Sequence, residues 1–212
     1  MDFIQPAAND YVEQFSDATP AYLRPMYEAT KLSHPHAHLQ SNWNQGGFLS
    51  FFSKLLAPTH ILEIGTFTGF STLCLAEGLN STGNIHTIEL RAEDANSART
   101  HFDASKFGPQ ISSHIGDAKS ILPTLNEKWD LVFIDADKTG YIDYVNLVLP
   151  MLSEKGVIIA DNVLFHGQVF EENRKGKNAL AIHAFNEFIL AHPELEKIML
   201  TVRDGLTLIR KK

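Results

Sequence analysis

Apolar residues recur every three or four positions through residues 1–57, then give way after Pro58 to short β-rich runs separated by longer amphipathic stretches. The two spacings predict two kinds of element. Leu23, Met26, Tyr27 and Thr30 keep helical spacing. Phe48, Leu49, Phe51, Phe52, Leu55 and Leu56 predict a strongly apolar helix that stops before Pro58. Between them, Ser33-His34-Pro35-His36-Ala37-His38 reads as a connection. Further on, the runs 60–64, 84–89, 111–115, 131–135 and 157–160 predict strands, and 71–79, 92–107, 118–125 and 141–152 predict the helices between them. A helix at about 178–191 ends near Pro193. The runs 197–202 and 206–210 then flank Asp204-Gly205, a hairpin signal. Strands alternating with helices imply a parallel sheet covered on both faces, and Leu131-Val132-Phe133-Ile134 is apolar throughout, as its buried centre requires. The expected fold class is α/β. It is a doubly wound, mostly parallel, seven-stranded sheet with a C-terminal antiparallel hairpin and N-terminal helices packed on it. No Gly/Ser-rich linker divides the chain, so 1–212 reads as a single domain, with 1–57 as a helical cap and 58–212 as the α/β core.

Composition narrows the function classes. A chain of 212 residues suits one domain, and 44% hydrophobic with 20% charged residues is a globular mix. Lys+Arg 18 against Asp+Glu 25 leaves a net charge of −7, a poor match to a nucleic-acid backbone. The one cysteine, Cys74, excludes an internal disulfide and any multi-Cys zinc site, and it reads as core. No apolar stretch approaches the ~20 residues of a membrane span. Residues 1–6 lack the basic region and apolar core of a secretory signal, so a soluble cytoplasmic protein is expected.

Candidate chemistry gathers at predicted strand ends. The first strand runs into Glu63-Ile64-Gly65-Thr66-Phe67-Thr68-Gly69-Phe70-Ser71. In an open α/β sheet, ligands sit beyond the carboxyl ends of the strands. Gly65 and Gly69 permit a tight turn and close backbone approach, and Ser71 is placed to cap the next helix. The spacing is neither that of a dinucleotide turn nor of a phosphate loop, which argues against NAD and ATP and suits a nucleoside without a pyrophosphate. Glu89, ending the second strand, can accept hydrogen bonds from both ribose hydroxyls. Asp135 closes one buried strand, and Asp161 and Asn162 close the next. Their separation leaves room for a crossover helix and a return strand. Neighbouring strands lie about 4.8 Å apart, so the two carboxylates and the amide oxygen would surround one point. An all-oxygen set favours a hard cation, Mg²⁺ first, with Mn²⁺ or Ca²⁺ as substitutes. Beside such a cation the pKa of Lys138, three residues after Asp135, should fall. Asp137, alternating with Asp135, reads as support for the loop or the cofactor.

The run Leu62-Glu63-Ile64-Gly65-Thr66-Phe67-Thr68-Gly69-Phe70-Ser71-Thr72 resembles motif I of S-adenosylmethionine-dependent methyltransferases. With Phe133-Ile134-Asp135-Ala136-Asp137-Lys138 and Asp161-Asn162-Val163-Leu164, the chain is similar from about 45 to 210 to the class I, cation-dependent O-methyltransferases of the caffeoyl-CoA and catechol O-methyltransferase family. The resemblance implies a Rossmann-like methyltransferase that moves a methyl group from S-adenosylmethionine to a hydroxyl of a catechol-like small molecule, assisted by a divalent cation. It implies Glu63, Gly65, Ser71, Glu89, Asp117, Ala118 and Asp135 around S-adenosylmethionine, with the adenine near Gly116-Asp117-Ala118. It implies Asp135, Asp161 and Asn162 at the metal, and Asp135 and Lys138 as the catalytic pair. Tyr141 and Asp204 match positions near the substrate or the closing hairpin. Gln45-Gly46-Gly47 falls where the family's cofactor lid begins, though only the Gln-Gly part is typical. The expected partners are a small phenolic substrate and, from the family, a second copy in a homodimer. The alternative acceptor is a hydroxylated wobble uridine of tRNA, which the net charge disfavours.

Three other signals carry less. His34, His36 and His38 alternate, but a Pro-interrupted loop without a nearby acid or Cys is a poor zinc site, and a lid or substrate-contact role is left open. Phe48, Phe51 and Phe52 read as core or dimer interface, and the polar run 171–177 as a solvated loop in the region where the family shapes acceptor specificity.

Overall fold

A computed structural model describes residues 4–212. The strands are β1 His60–Ile64, β2 Asn84–Glu89, β3 Ile111–Ile115, β4 Trp129–Ile134, β5 Leu152–Asp161, β6 Leu195–Leu200 and β7 Leu206–Lys211. They form one sheet in the order β3-β2-β1-β4-β5-β7-β6. The pairs from β3 to β5 are parallel, and β7 is antiparallel to both β5 and β6. Strand order reverses between β1 and β4, which opens a crevice at their carboxyl ends.

The β4 run is apolar throughout because it is buried on both sides. Val132 and Ile134 join a core under helices α7 (Tyr141–Val148) and α8 (Lys177–Ala191), and Leu131 and Phe133 join the core on the opposite face. All four are fully buried, each worth about 1.5–3 kcal/mol in area removed from water. The second core is covered by α4 (Phe70–Ala76), α5 (Ala92–Asp103) and the helical cap.

The cap comprises α1 Pro6–Gln14, α2 Arg24–Ser33 and α3 Trp43–Leu56. Leu23, Met26, Tyr27 and Thr30 are buried as their spacing implies. Asn42 caps α3, accepting from the Gln45 N–H at 2.8 Å, and Ala57 ends it in the left-handed region before Pro58. Helix α3 lies tight on α4: a Cβ at Gly46 would sit 2.6 Å from Phe70 Cζ. Phe48 and Phe52 pack against the core, whereas Phe51 is 57% exposed.

Several boundaries differ from expectation. β4 stops at Ile134, leaving Asp135 just beyond the strand. β5 begins at Leu152, because the predicted helix over 141–152 gives way after Val148 to a 3₁₀ turn, Leu149–Met151. α6 spans only Ala118–Ile121 and continues as a 3₁₀ turn through Pro123, which lacks the N–H a longer helix would need. The final hairpin is present, but Leu200 pairs with Leu206 and residues 201–205 connect the strands, so Asp204-Gly205 is the end of a longer turn rather than a two-residue one. Among the described residues, no helix is long and apolar enough to cross a membrane.

Candidate active site

A cavity of about 550 Å³ lies at the carboxyl ends of the parallel strands, within the roughly 300–1,000 Å³ of small-molecule sites. Its first half is shaped by main chain. Gly65 has φ +100°, and a Cβ there would fall 2.0 Å from the Asp135 carbonyl oxygen, so no other residue fits. Glu89 lines the cavity with both oxygens already oriented: Oε2 accepts the Phe67 N–H at 2.8 Å and Oε1 the Arg91 N–H at 3.0 Å. Asp117 caps α6 by accepting the Lys119 N–H at 3.0 Å, and Asp117 and Ala118 both line the cavity.

Ser71 does not cap α4. Gly69, with φ +89°, precedes the helix, and the Ser71 hydroxyl donates to Glu63 Oε1 at 2.7 Å. Glu63 itself sits behind the cavity wall, fully buried, and also accepts from the Thr72 and Thr87 hydroxyls. Burial pushes its carboxyl up to about 7, against the pull of those three hydroxyls.

The second half is shaped by side chains. Because β4 and β5 are neighbours, Asp135 and the Asp161-Asn162 pair meet at adjacent strand ends. Lys138 Nζ donates to Asp135 Oδ1 at 2.9 Å, to Asn162 Oδ1 at 2.7 Å and to Tyr141 Oη at 2.8 Å. Tyr141 Oη passes the chain on to the Asp161 carbonyl at 2.9 Å. Asn162 turns the backbone at φ +57°, a conformation Asn tolerates better than most residues. Asp204 backs this turn, accepting the Asn162 amide at 3.4 Å and the His166 N–H at 2.6 Å. Burial alone would lower the Lys138 ammonium, but Asp135, Tyr141 and Asp161 outweigh it and hold the proton more tightly than usual. In this arrangement the lysine is charged, the opposite of the lowered pKa expected beside a cation.

Asp161 is fully buried, and both its oxygens are engaged: Oδ1 accepts the Asn162 N–H at 2.7 Å, and Oδ2 accepts Gln45 Nε2 at 2.7 Å with Arg203 Nη1 at 3.6 Å. Burial, and after it the charge of Asp135, raises its carboxyl well above the usual range. Asp135, Lys138 and Asn162 line the cavity, with Asp161 enclosed behind them. Asp137 also lines it, accepting the Thr139 hydroxyl. No group of three or more His, Cys, Asp or Glu among the described residues is arranged to hold a metal, so a cation here would depend on the Asn162 amide as well.

Sequence reading missed two of these contributors. Gln45 was noted only as part of a lid motif, and Arg203 carried no signal beyond standing before Asp204-Gly205. It also missed the acid near the histidine run: the fold brings Asp94 of α5 to His34, whose Nε2 donates to Asp94 Oδ1 at 3.0 Å. His38 lines the cavity, while His36 contacts its two neighbours by ring packing.

Residues 13–212 match the model of a family described as O-methyltransferase. The probable caffeoyl-CoA O-methyltransferase 1 of Dictyostelium discoideum is 30% identical over 208 residues, covering 95% of this chain and 90% of its own. A catechol O-methyltransferase of Niastella koreensis is 33% identical over 174 residues, 78% and 79% of the two chains. Among solved structures, an SAH-bound methyltransferase of Podospora anserina superposes with a TM-score of 0.89 at 30% identity, covering 99% of this chain and 97% of its own.

Proposed function

This chain belongs to the O-methyltransferase family, and we propose that it moves a methyl group from S-adenosylmethionine to one of two adjacent hydroxyls of a small, catechol-like phenol, assisted by a divalent cation. The observation that carries the reading is the meeting of Asp135, Asn162 and Tyr141 on Lys138 Nζ, at the rim of the cavity that Gly65 and Glu89 also line. The SAH named with the Podospora structure supports the choice of donor. S-adenosylmethionine, when bound, supplies the electrophilic methyl group.

The residues divide the work. Glu89, fixed by two backbone N–H groups, has lone pairs left for the ribose hydroxyls. Gly65 lets the ligand approach the main chain, and Asp117 and Ala118 bound the adenine end. Asp135 and Asn162, which line the cavity, would hold the cation, and the enclosed Asp161 would join them only by giving up the Asn162 N–H or the Gln45 amide. Two of their oxygens already converge on one positive nitrogen, and the all-oxygen set suits Mg²⁺, with Mn²⁺ or Ca²⁺ as substitutes. Such an ion would stabilise the acceptor oxygen as it loses its proton. Lys138 takes that proton in its neutral form. The neutral fraction of a lysine grows with pH, so turnover should rise between about pH 7 and 9. A small acceptor is favoured over tRNA by the net charge of −7 and by the wall that residues 38–41 place along the cavity.

The test is an assay of purified protein with S-adenosylmethionine and three acceptors: catechol, phenol and unmodified bulk tRNA. The reading expects one methyl group on catechol, none on phenol, loss of activity in EDTA and recovery with Mg²⁺. Equal turnover of phenol removes the chelation argument, full activity in EDTA removes the cation, and methylation of tRNA alone transfers the chemistry to the other acceptor.

A further inference from the structure

Arg203 stands at φ +51°, a left-handed conformation that glycine adopts freely and that arginine seldom takes. Its side chain shows what holds it there. Nη2 donates to the Gln40 carbonyl at 3.0 Å and reaches the His38 carbonyl at 3.5 Å. Nη1 donates to Gln45 Oε1 at 3.2 Å and lies 3.6 Å from Asp161 Oδ2. The side chain is only 17% exposed. One guanidinium thus joins three separate pieces: the β6–β7 connection, residues 38–45, and the tip of β5.

The piece it grips is a wall of the cavity. His38, Leu39, Gln40 and Ser41 line the space, and the segment between α2 and α3 contains only a 3₁₀ turn, Ala37–Leu39. No sheet ladder fixes it among the described residues. Its first anchor is His34 on Asp94, which in turn pairs with Arg91 at 2.5 Å. Its second anchor is Arg203. The wall is therefore pinned at both ends by side chains from the α/β core.

We propose that Arg203 is a positioning residue for cofactor binding: its guanidinium clasps the 38–45 wall onto the tip of β5 and keeps the cavity preorganised. A wall left mobile would have to be ordered by each ligand that binds, and that ordering subtracts from affinity. A fork of donors can serve two carbonyls, an amide and a carboxylate together. A lysine ammonium in the same place keeps the charge near Asp161 but not the geometry. The proposal rests on the S-adenosyl ligand and is independent of the acceptor and the cation.

The experiment titrates S-adenosylhomocysteine by calorimetry into the parent protein, R203G and R203K, without acceptor, beside thermolysin digestion and melting curves. The expected result is a Kd raised about tenfold in R203G, about 1.4 kcal/mol, and raised less in R203K. Cleavage within 34–42 should appear in both variants and be suppressed at saturating ligand, with R203K melting close to the parent. Equal Kd and equal protection in all three proteins overturn the clasp. So does a loss of affinity that only tracks lower melting temperature, without selective cleavage. A parent that does not bind S-adenosylhomocysteine overturns the ligand reading beneath it, which is a different failure from a parent that binds and variants that bind as well.

Discussion

At the tips of β1 and β2 the site is main chain. Gly65 turns against the Asp135 carbonyl, and the Phe67 and Arg91 N–H groups hold Glu89. At the tips of β4 and β5 it is side chain: a buried ammonium, two carboxylates, a phenol and an amide that balance one another. The first half is fixed by main-chain N–H groups and a close main-chain approach, which do not depend on a particular side chain at Phe67 or Arg91. The second needs distant partners, Gln45 and Arg203, to keep Asp161 from being a buried charge alone. A half built from main chain and a half built from side chains should therefore respond differently to damage.

The sharpest contrast comes from Lys138→Met. It removes the group that joins Asp135, Asn162 and Tyr141, and kcat should fall about 10²–10⁴-fold, with affinity for S-adenosylhomocysteine within about twofold of the parent. Its pH–rate profile should also lose the alkaline rise, and a profile identical to the parent's would remove the lysine from proton transfer. Glu89→Ala should do the reverse, raising Kd about tenfold, the worth of a hydrogen bond to a charged group, while kcat at saturating donor stays within a few-fold. If kcat collapsed as well, the two halves would not be separable.

The smallest effect belongs to Glu63, which supports the first half from behind. Its carboxyl is raised from 4.5 to about 7 by burial, so between those values the folded chain keeps a proton that the unfolded chain has released. Stability therefore falls as pH climbs through that window, and the penalty is complete above it. Glu63→Gln should make this slope shallower, with Asp161 contributing the same sign. At pH 8 the variant should melt about 2–4 °C above the parent, and at pH 5 no higher. A parallel shift at both values in scanning calorimetry would mean that packing, and not the proton, is responsible.

The same division decides what could be read from the sequence. The strands over 60–64, 84–89 and 111–115 fall where their short β-rich runs put them; in the first two, burial against the helix layers leaves its mark on the strand itself. The start of β5 was missed because Ser153, Glu154 and Lys155 are polar residues at the open end of the sheet, where solvent reaches them. Ser71 had the chemistry of a helix cap, but Gly69 began the helix and the hydroxyl turned to Glu63 instead. Asp135, Asp161 and Asn162 could be grouped because they end successive strands. The links from Gln45 and Arg203 could not, because no periodicity records which turn will face which helix after folding.

The contact between Gly65 and the Asp135 carbonyl carries one more consequence. It ties the tip of β1 to the tip of β4 through atoms every amino acid shares, so the spacing of these two main-chain segments is not open to adjustment by side-chain exchange. Side-chain exchange can instead redraw the outer walls of the cavity, at 38–41 and 165–166.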